Sequence, residues 1–316
     1  MRTASTQGQA RRQRTALALA ITVVSGVLLC GVGREAAAED GAISLRFGVS
    51  SDILLDVSRK DAQVAFQLWA QQVARESSQS VAEVQVRFFE DAGVLAAAVR
   101  RKELDLIVLP TLDYLHWRGE LPLEPVRIGL ASRMGLDRDL LLVRRQGGIS
   151  ALADLKGKRL LMLPGAMGDL SRLWLDGLLM NQGLPPTERV VGEIRYAVKA
   201  SQVILPVFFR QADAAVIKEA SFTTVSEVNP QIRQELLPLA ISPGLARGLV
   251  CLNRQSGEEP RRILLEGLAK VDASAAGKQI LTLFRIHRLV PYQAADLDGV
   301  LDLLHQHTRM AARKGL

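Results

Sequence analysis

Cysteine and histidine are nearly missing from this chain, with two of the first and four of the second among 316 residues. His116, His287, His305 and His307 all stand apart from any acid-rich or cysteine-rich stretch with metal-ligand spacing. His305 and His307 lie two apart on an expected helix, hence on different faces. No G-x-S-x-G elbow, phosphate-binding P-loop or dinucleotide fingerprint occurs. The only close approach, Gly31-Val32-Gly33, falls inside an N-terminal leader. These absences argue against metal, acyl-transfer and nucleotide chemistry. The expectation is a protein that binds without a cofactor and is not an enzyme.

The leader has three parts. Arg2, Arg11, Arg12 and Arg14 precede an apolar run from Ala16 to Val32, and Ala36-Ala37-Ala38 then stands before Glu39 and Asp40. This pattern predicts a signal peptide over residues 1–38, cleaved after Ala38, and export to the periplasm. At about 17 residues, and interrupted by Thr22, Ser25, Gly26 and Gly31, the run sits at the lower limit for spanning a bilayer. Two minor alternatives remain. Arg11-Arg12 is a twin-arginine candidate, although Arg14-Thr15 stands where an apolar pair belongs. Cys30 is a lipid-anchor candidate, although the bulky Leu29 precedes it.

From 40 basic and 33 acidic residues, cleavage removes five Arg and one Glu, leaving 35 and 32. The exported chain is therefore nearly neutral. The basic whole-chain charge gives no reason to expect a nucleic-acid partner. Cleavage also leaves Cys251 alone, which rules out an internal disulfide. Its setting, Leu249-Val250-Cys251-Leu252, predicts a buried strand with an inert thiol.

What the chain does contain is an alternation of strand and helix patterns, the mark of an α/β protein. Ile43, Leu45, Phe47 and Val49 alternate as a strand, and Ala65, Phe66, Leu68, Trp69 and Val73 recur at helical spacing. Strands follow at 84–89 and 104–109 around a helix at 93–102. Extended segments at 126–131 and 140–144 come next, with no clear helix between them. The alternation then restarts: a strand at 159–163, a turn-rich loop at 164–169, a helix at 170–180, strands at 190–196, 212–217 and 236–241, and a helix near 201–210. Two βα blocks in series, joined by extended crossovers, predict two lobes. We assign 41–134 plus 243–316 to the first and 135–242 to the second. In open α/β sheets a ligand sits beyond the carboxyl ends of the strands, so the facing βα loops of two lobes enclose one cleft.

The order of segments resembles the phosphate, phosphite and phosphonate-binding proteins of ABC transporters. The residues that carry the likeness are Phe47-Gly48-Val49, Asp105-Leu106-Ile107-Val108, Ala212-Asp213-Ala214-Ala215 and the run Leu152-Ala153-Asp154-Leu155-Lys156-Gly157-Lys158-Arg159. The resemblance implies a type II periplasmic binding fold with a hinge. It also implies a monomeric receptor that delivers a small polar ligand, such as an oxyanion, to an ABC permease. The alternative is a receptor of the same fold reporting to a membrane sensor. Family members carry a hydroxyl-rich loop where this chain has Ala166-Met167-Gly168-Asp169, and a histidine where it has Ala200 flanked by Lys199 and Ser201. Each lost donor to a desolvated oxyanion costs about 1–3 kcal/mol. Three losses, at about 1.4 kcal/mol per tenfold, predict weak or absent binding of phosphate and simple phosphonates.

Position at strand ends gives the remaining site candidates, each with a structural alternative. Ser50, Ser51 and Asp52 follow the first strand, as ligand contacts or caps. Phe89 follows the second, as cleft wall or core, with Glu90 and with Asp91 as a cap. Thr111, Asp113 and Tyr114 follow the third, Tyr114 as cleft wall or hinge packing. Lys218 and Glu219 end a later strand, as ligand contacts or as a surface pair with each other. With Met167, Gly168, Asp169, Lys199 and Ser201, these form the expected site.

Overall fold

Residues Ile43–Ser50 form β1, and burial of Leu45, Phe47 and Val49 starts the first core. The chain continues through α1 (Arg59–Glu76), β2 (Val81–Phe89), α2 (Ala92–Arg100), β3 (Leu106–Pro110), α3 (Thr111–Trp117) and β4 (Leu123–Leu130). A second series follows: β5 (Asp139–Arg144), β6 (Arg159–Met162), α4 (Gly165–Asn181), α5 (Thr187–Val190), β7 (Glu193–Tyr196), α6 (Ala200–Phe208), β8 (Ala214–Lys218), α7 (Glu219–Val228), α8 (Pro230–Glu235) and β9 (Leu236–Ile241). The last stretch is β10 (Gly248–Asn253), α9 (Glu258–Ala269), α10 (Ala275–Leu283), β11 (Arg288–Pro291) and α11 (Asp298–Lys314). The computed structural model describes residues 43–54, 57–77, 80–131 and 135–314. The expected signal peptide, its cleavage site and Cys30 lie outside the described residues.

Two mixed sheets result, ordered β11-β4-β10-β3-β1-β2 and β7-β6-β8-β5-β9. In the first, β1 runs parallel to β2 and β3, with Phe47 beside Leu106, while β10 is antiparallel to β3, with Val250 beside Val108. In the second, β6 and β8 are parallel and β5 is antiparallel to β8. Because the first sheet draws strands from both ends of the chain, the backbone passes between sheets over residues 131–139 and again over 241–248.

Helices cover both faces of each sheet, which is why β3 and β5 read as continuous apolar runs rather than alternating ones. On one face of the first sheet Phe47 meets the edge of Trp69, their ring centroids 5.8 Å apart, and Val250 and Leu264 join the same cluster. On the other face Ile107, Leu109 and Cys251 pack with Leu95 and Val99. Cys251 is free and fully buried, and burial pushes its thiol pKa up, so the thiol is inert as expected. In the second sheet Leu160 and Met162 pack with Trp174 and Leu175, and Leu161 and Ala215 with Val203 and Val207. The final helix α11 sends Val300 and Leu303 into the cluster of Trp174, so the C-terminal end rests on the second sheet's helices.

One clasp occurs in both sheets. Arg46 donates from its backbone N and Nε to Asp105 Oδ2 at 3.0 and 2.9 Å and from Nη2 to Oδ1 at 2.8 Å. Arg159 repeats the pattern on Asp213 at 2.8, 3.0 and 3.1 Å. In each case the aspartate precedes the neighbouring parallel strand and its own N–H bonds back to the arginine carbonyl. Forked arginine contacts of this kind lock register as well as adding energy.

Three local departures from the sequence reading have identifiable causes. Residues 111–117, to which the sequence pattern assigns no element, form α3, because Leu112 and Leu115 pack toward the second sheet's core while Tyr114 packs into the first. The turn-rich loop at 164–169 is the start of α4, since Gly165 at φ +70° bends the chain directly from β6 into helix. The strand expected over 190–196 begins at Glu193, and Thr187–Val190 is a helical turn instead. There Thr187 is fully buried and donates from N and Oγ1 to the buried Asp176.

Candidate ligand-binding cleft

The carboxyl ends of β1 and β3 carry Ser50, Ser51, Asp52, Thr111 and Asp113. The amino ends of α4 and α6 carry Gly165, Asp169, Lys199 and Ser201. Between them lies a cleft of about 740 Å³, lined by Ser51, Asp52, Ser58, Pro164, Gly165 and Lys199 among others. The two sides come close: a Cβ on Gly165 would lie 3.5 Å from Asp52 Oδ1.

Each expected site residue has a definite place. Ser50 is buried, and its Oγ accepts a long bond from Asp52 N at 3.4 Å. Ser51 starts a short 3-10 turn over Ser51–Leu54, and its Oγ is buried without a hydrogen-bond partner. Thr111 Oγ1 and Asp113 Oδ2, on the first turn of α3, are buried and unpartnered as well. Met167 and Gly168 belong to the first turn of α4, which no side chain caps, and Asp169 is exposed beside them. Lys199 is exposed immediately before α6, and Ser201 is half-buried in its first turn. Phe89 and Tyr114 take the core alternative, both buried in one cluster, with the Arg87 guanidinium 4.9 Å above the Phe89 ring. Asp91 caps α2 by accepting from Val94 N at 2.8 Å, as expected. Glu219 does not pair with Lys218. It takes a forked contact from Arg138 at 2.8 and 3.0 Å, because the backbone N of Glu219 is already held by the Arg138 carbonyl.

The outer cleft is acidic. Asp52, Asp113 and Asp169 lie within electrostatic reach of one another. The carboxyl pKa values of Asp52 and Asp113 are raised above the ordinary range, first by burial and then by the neighbouring carboxylates. A carboxyl group with a raised folded-state pKa favours folding below the ordinary carboxylate range, and that contribution is lost as pH rises through the folded value. Asp113→Asn removes the charged form. It is expected to raise stability at neutral pH by on the order of 1 kcal/mol, with the gain shrinking as pH falls toward 4. Urea midpoints of both chains at the two pH values check this, and an unchanged or lowered neutral midpoint counts against it.

A second group of charges lies where the chain crosses between the sheets. At the start of β10 Arg247 donates from Nη2 to Asp139 at the start of β5 and from Nη1 to Ser171 Oγ on α4 at 3.4 Å. Asp139 is fully enclosed and the Arg247 side chain is 9% exposed. Lys218 ends β8 directly across from Asp139. Asp137 lies nearby, accepting from Arg138 N at 3.0 Å and Ala220 N at 3.3 Å. Sequence reasoning found Lys218 but not Arg247, Asp137 or Asp139. The available signal was Asp137-Arg138-Asp139 standing immediately before the buried run Leu140–Val143, since charges at the entrance to a buried strand need partners.

Two α/β lobes joined by double crossovers, with unpartnered polar atoms at the carboxyl ends of β1 and β3, define a solute-binding architecture. A family model described as "ABC transporter, phosphonate, periplasmic substrate-binding protein" matches residues 53–297, and the chain belongs to that family. Solved structures agree on the fold. A binding protein component of an ABC phosphonate transporter from Pseudomonas aeruginosa superposes with a TM-score of 0.62 at 14% identity, covering 86% of this chain and 88% of that one. PhnD1 from Prochlorococcus marinus in complex with methylphosphonate gives 0.61 at 16%, covering 84% and 98%. The periplasmic aliphatic sulphonate binding protein SsuA from Escherichia coli gives 0.50 at 15%, covering 86% and 92%. No curated protein matches the chain by sequence. The type II periplasmic binding fold expected from the sequence is the fold observed. Among the described residues no helix is long and apolar enough to cross a membrane.

Proposed function

We propose that this chain is an exported, monomeric receptor that closes two lobes, 41–134 with 243–316 and 135–242, over a small polar ligand and passes it to an ABC permease without chemical change. The observation that carries this reading is the set of buried, unpartnered atoms Ser51 Oγ, Thr111 Oγ1 and Asp113 Oδ2 at the carboxyl ends of β1 and β3. Buried polar atoms are nearly always satisfied, and a ligand at the strand ends satisfies these. Lys199 and Ser201 close from the second lobe. The three carboxylates at the cleft favour a ligand that presents hydrogen-bond donors on that side. They also disfavour bare phosphate and small phosphonates, because no hydroxyl-rich loop offsets the repulsion.

A thermal-shift panel of phosphate, phosphite, methylphosphonate, small sulfonates and amino acids tests this on residues 39–316. X-ray scattering reports lobe closure for each hit. The expected result is at least one solute that raises the melting temperature and reduces the radius of gyration, with phosphate and methylphosphonate weak. Silence across the panel, or recovery of a hit in altered chemical form, counts against the receptor. Micromolar methylphosphonate binding that is lost in Lys199→Ala retains the receptor but reverses the reading of the 166–169 segment.

A further inference from the structure

The last helix, α11, meets both lobes at once. Leu297, just before it, and Leu301 in its first turns pack with the first-lobe cluster of Leu121, Ala246 and Leu249. Val300, Leu303 and Leu304 pack with the second-lobe cluster of Trp174 and Leu175 on α4. Positions three and four apart share a helix face, so the two sets lie on different sides and α11 starts as a wedge between the lobes. Further along it lies against the second lobe: a Cβ on Gly177 of α4 would stand 3.8 Å from Gln306 Oε1. We propose that α11 is a strap, which travels with the second lobe, pivots at Asp298–Gly299 and limits how far the cleft opens. This rests on the receptor reading above and refines its lobe boundary, because 298–314 follow the first lobe in sequence yet move with the second.

Two independent observations meet at the pivot. The first is where the cores change hands. Leu245 packs into the second-lobe cluster and the next residue, Ala246, into the first; Val300 and Leu297 divide in the same way. Short stretches anchored in opposite bodies absorb any rotation between them, which is what hinge residues do. The second is close backbone approach. A Cβ on Gly299 would lie 2.9 Å from the Gly244 carbonyl oxygen, and a Cβ on Gly244 would lie 3.1 Å from Leu136 Cβ. Leu136, Gly244 and Gly299, one from each passage between the lobes, therefore touch in a row, and glycine is what lets the backbone come this near. That row is the line about which the lobes turn. The strap opposes turning in the opening sense, because separating the lobes draws Leu301 off the first-lobe cluster and exposes hydrocarbon to water. It grips α4, whose first turn reaches the cleft, so the restraint bears directly on a ligand-facing element. Arg247 holds the same helix from the first lobe through Ser171 Oγ at 3.4 Å.

The test is pulsed electron paramagnetic resonance on residues 39–316 carrying spin labels at Gln71→Cys on α1 and Lys156→Cys in the second lobe, both exposed positions. Cys251 is fully buried and does not compete for label. The lobe-to-lobe distance distribution is read with no solute added. Leu303→Ala, which loosens the strap on α4, is expected to widen that distribution and move its mean to longer distance. Leu303→Met, which keeps the volume, is expected to restore the parent distribution. Leu268→Ala removes a similarly buried leucine from the first-lobe core, away from the strap, and is expected to lower stability while leaving the distribution unchanged. Gly299→Ala, whose methyl drives the root of the strap off Gly244, is expected to displace the mean and supplies the test if Leu303→Ala does not fold. A label at His305→Cys on α11 is expected to keep as narrow a distance to Lys156→Cys as Gln182→Cys does within the second lobe. Parent-like distributions in both strap variants, or an α11 label that keeps a fixed distance to Gln71→Cys while its distance to Lys156→Cys spreads, overturn the strap. Because no solute is present, that result leaves the receptor to the thermal-shift panel, and a silent panel leaves the strap standing.

Discussion

Arg247→Met is expected to destabilise the protein by about 3–5 kcal/mol, the usual loss when one partner of a buried ion pair is removed and the other stays enclosed. Arg247 stands where the second crossover enters β10, and Asp139 where the first crossover enters β5. The pair joins the two crossing strands at the point where they pass between sheets. Among the described residues Asp139 has no second cation in hydrogen-bond contact. Its Oδ2 is already buried without a partner, so loss of the guanidinium strands the whole carboxylate. The adjoining contacts are local. Ser242 Oγ stands 2.7 Å from the Asp139 backbone N, and the Ser242 N–H donates to the Asp139 carbonyl at 2.9 Å, neither contact touching the carboxylate. Replacing both partners, as in Arg247→Met with Asp139→Leu, is expected to recover a large share of the loss, because no charge is then left desolvated. Urea denaturation followed by circular dichroism, with an unchanged slope, measures both. A single variant within 1 kcal/mol of the parent rejects this account, and a double variant no better than the single rejects the stranded-charge explanation.

That ion pair also marks the limit of what the sequence discloses. The strand cores were legible because Ile43–Val49 alternates and Leu140–Val143 is continuously apolar, and both patterns follow from which faces the helices cover. The strand-end serines were legible by position, because ligands in open α/β sheets lie beyond the carboxyl ends. Contacts between distant residues left no such trace. Arg46 and Asp105 are 59 positions apart, and Arg247 and Asp139 are 108 apart, so no periodicity within a window connects them. Helix α3 escaped notice for a related reason. Pro110 precedes it without a side-chain cap, and its seven residues are held helical by packing on both sheets rather than by propensity.

Gly168→Ala is expected to cost about 3 kcal/mol, at the upper end of overpacking losses. The segment Ala166–Asp169 invites the opposite expectation, since the family resemblance implies hydroxyls there and a small substitution would restore one. Geometry opposes it. A Cβ on Gly168 would sit 1.9 Å from the Leu163 carbonyl oxygen and 2.8 Å from its carbon, a backbone obstacle rather than the flexible end of a side chain. Relief requires moving either β6 or the first turn of α4, and β6 is pinned through Leu160 and Leu161 to β8. Gly168→Ser meets the same obstacle, so it is expected to lose stability by a similar amount without gaining affinity for methylphosphonate. Gly119→Ala serves as the control: nothing stands within 4 Å of its added Cβ, and a change within about 0.5 kcal/mol is expected. Urea midpoints decide among the three. Gly168→Ala matching Gly119→Ala would show that α4 can shift to admit a side chain at 168. The glycine would then be a vestige of the altered loop rather than its cause.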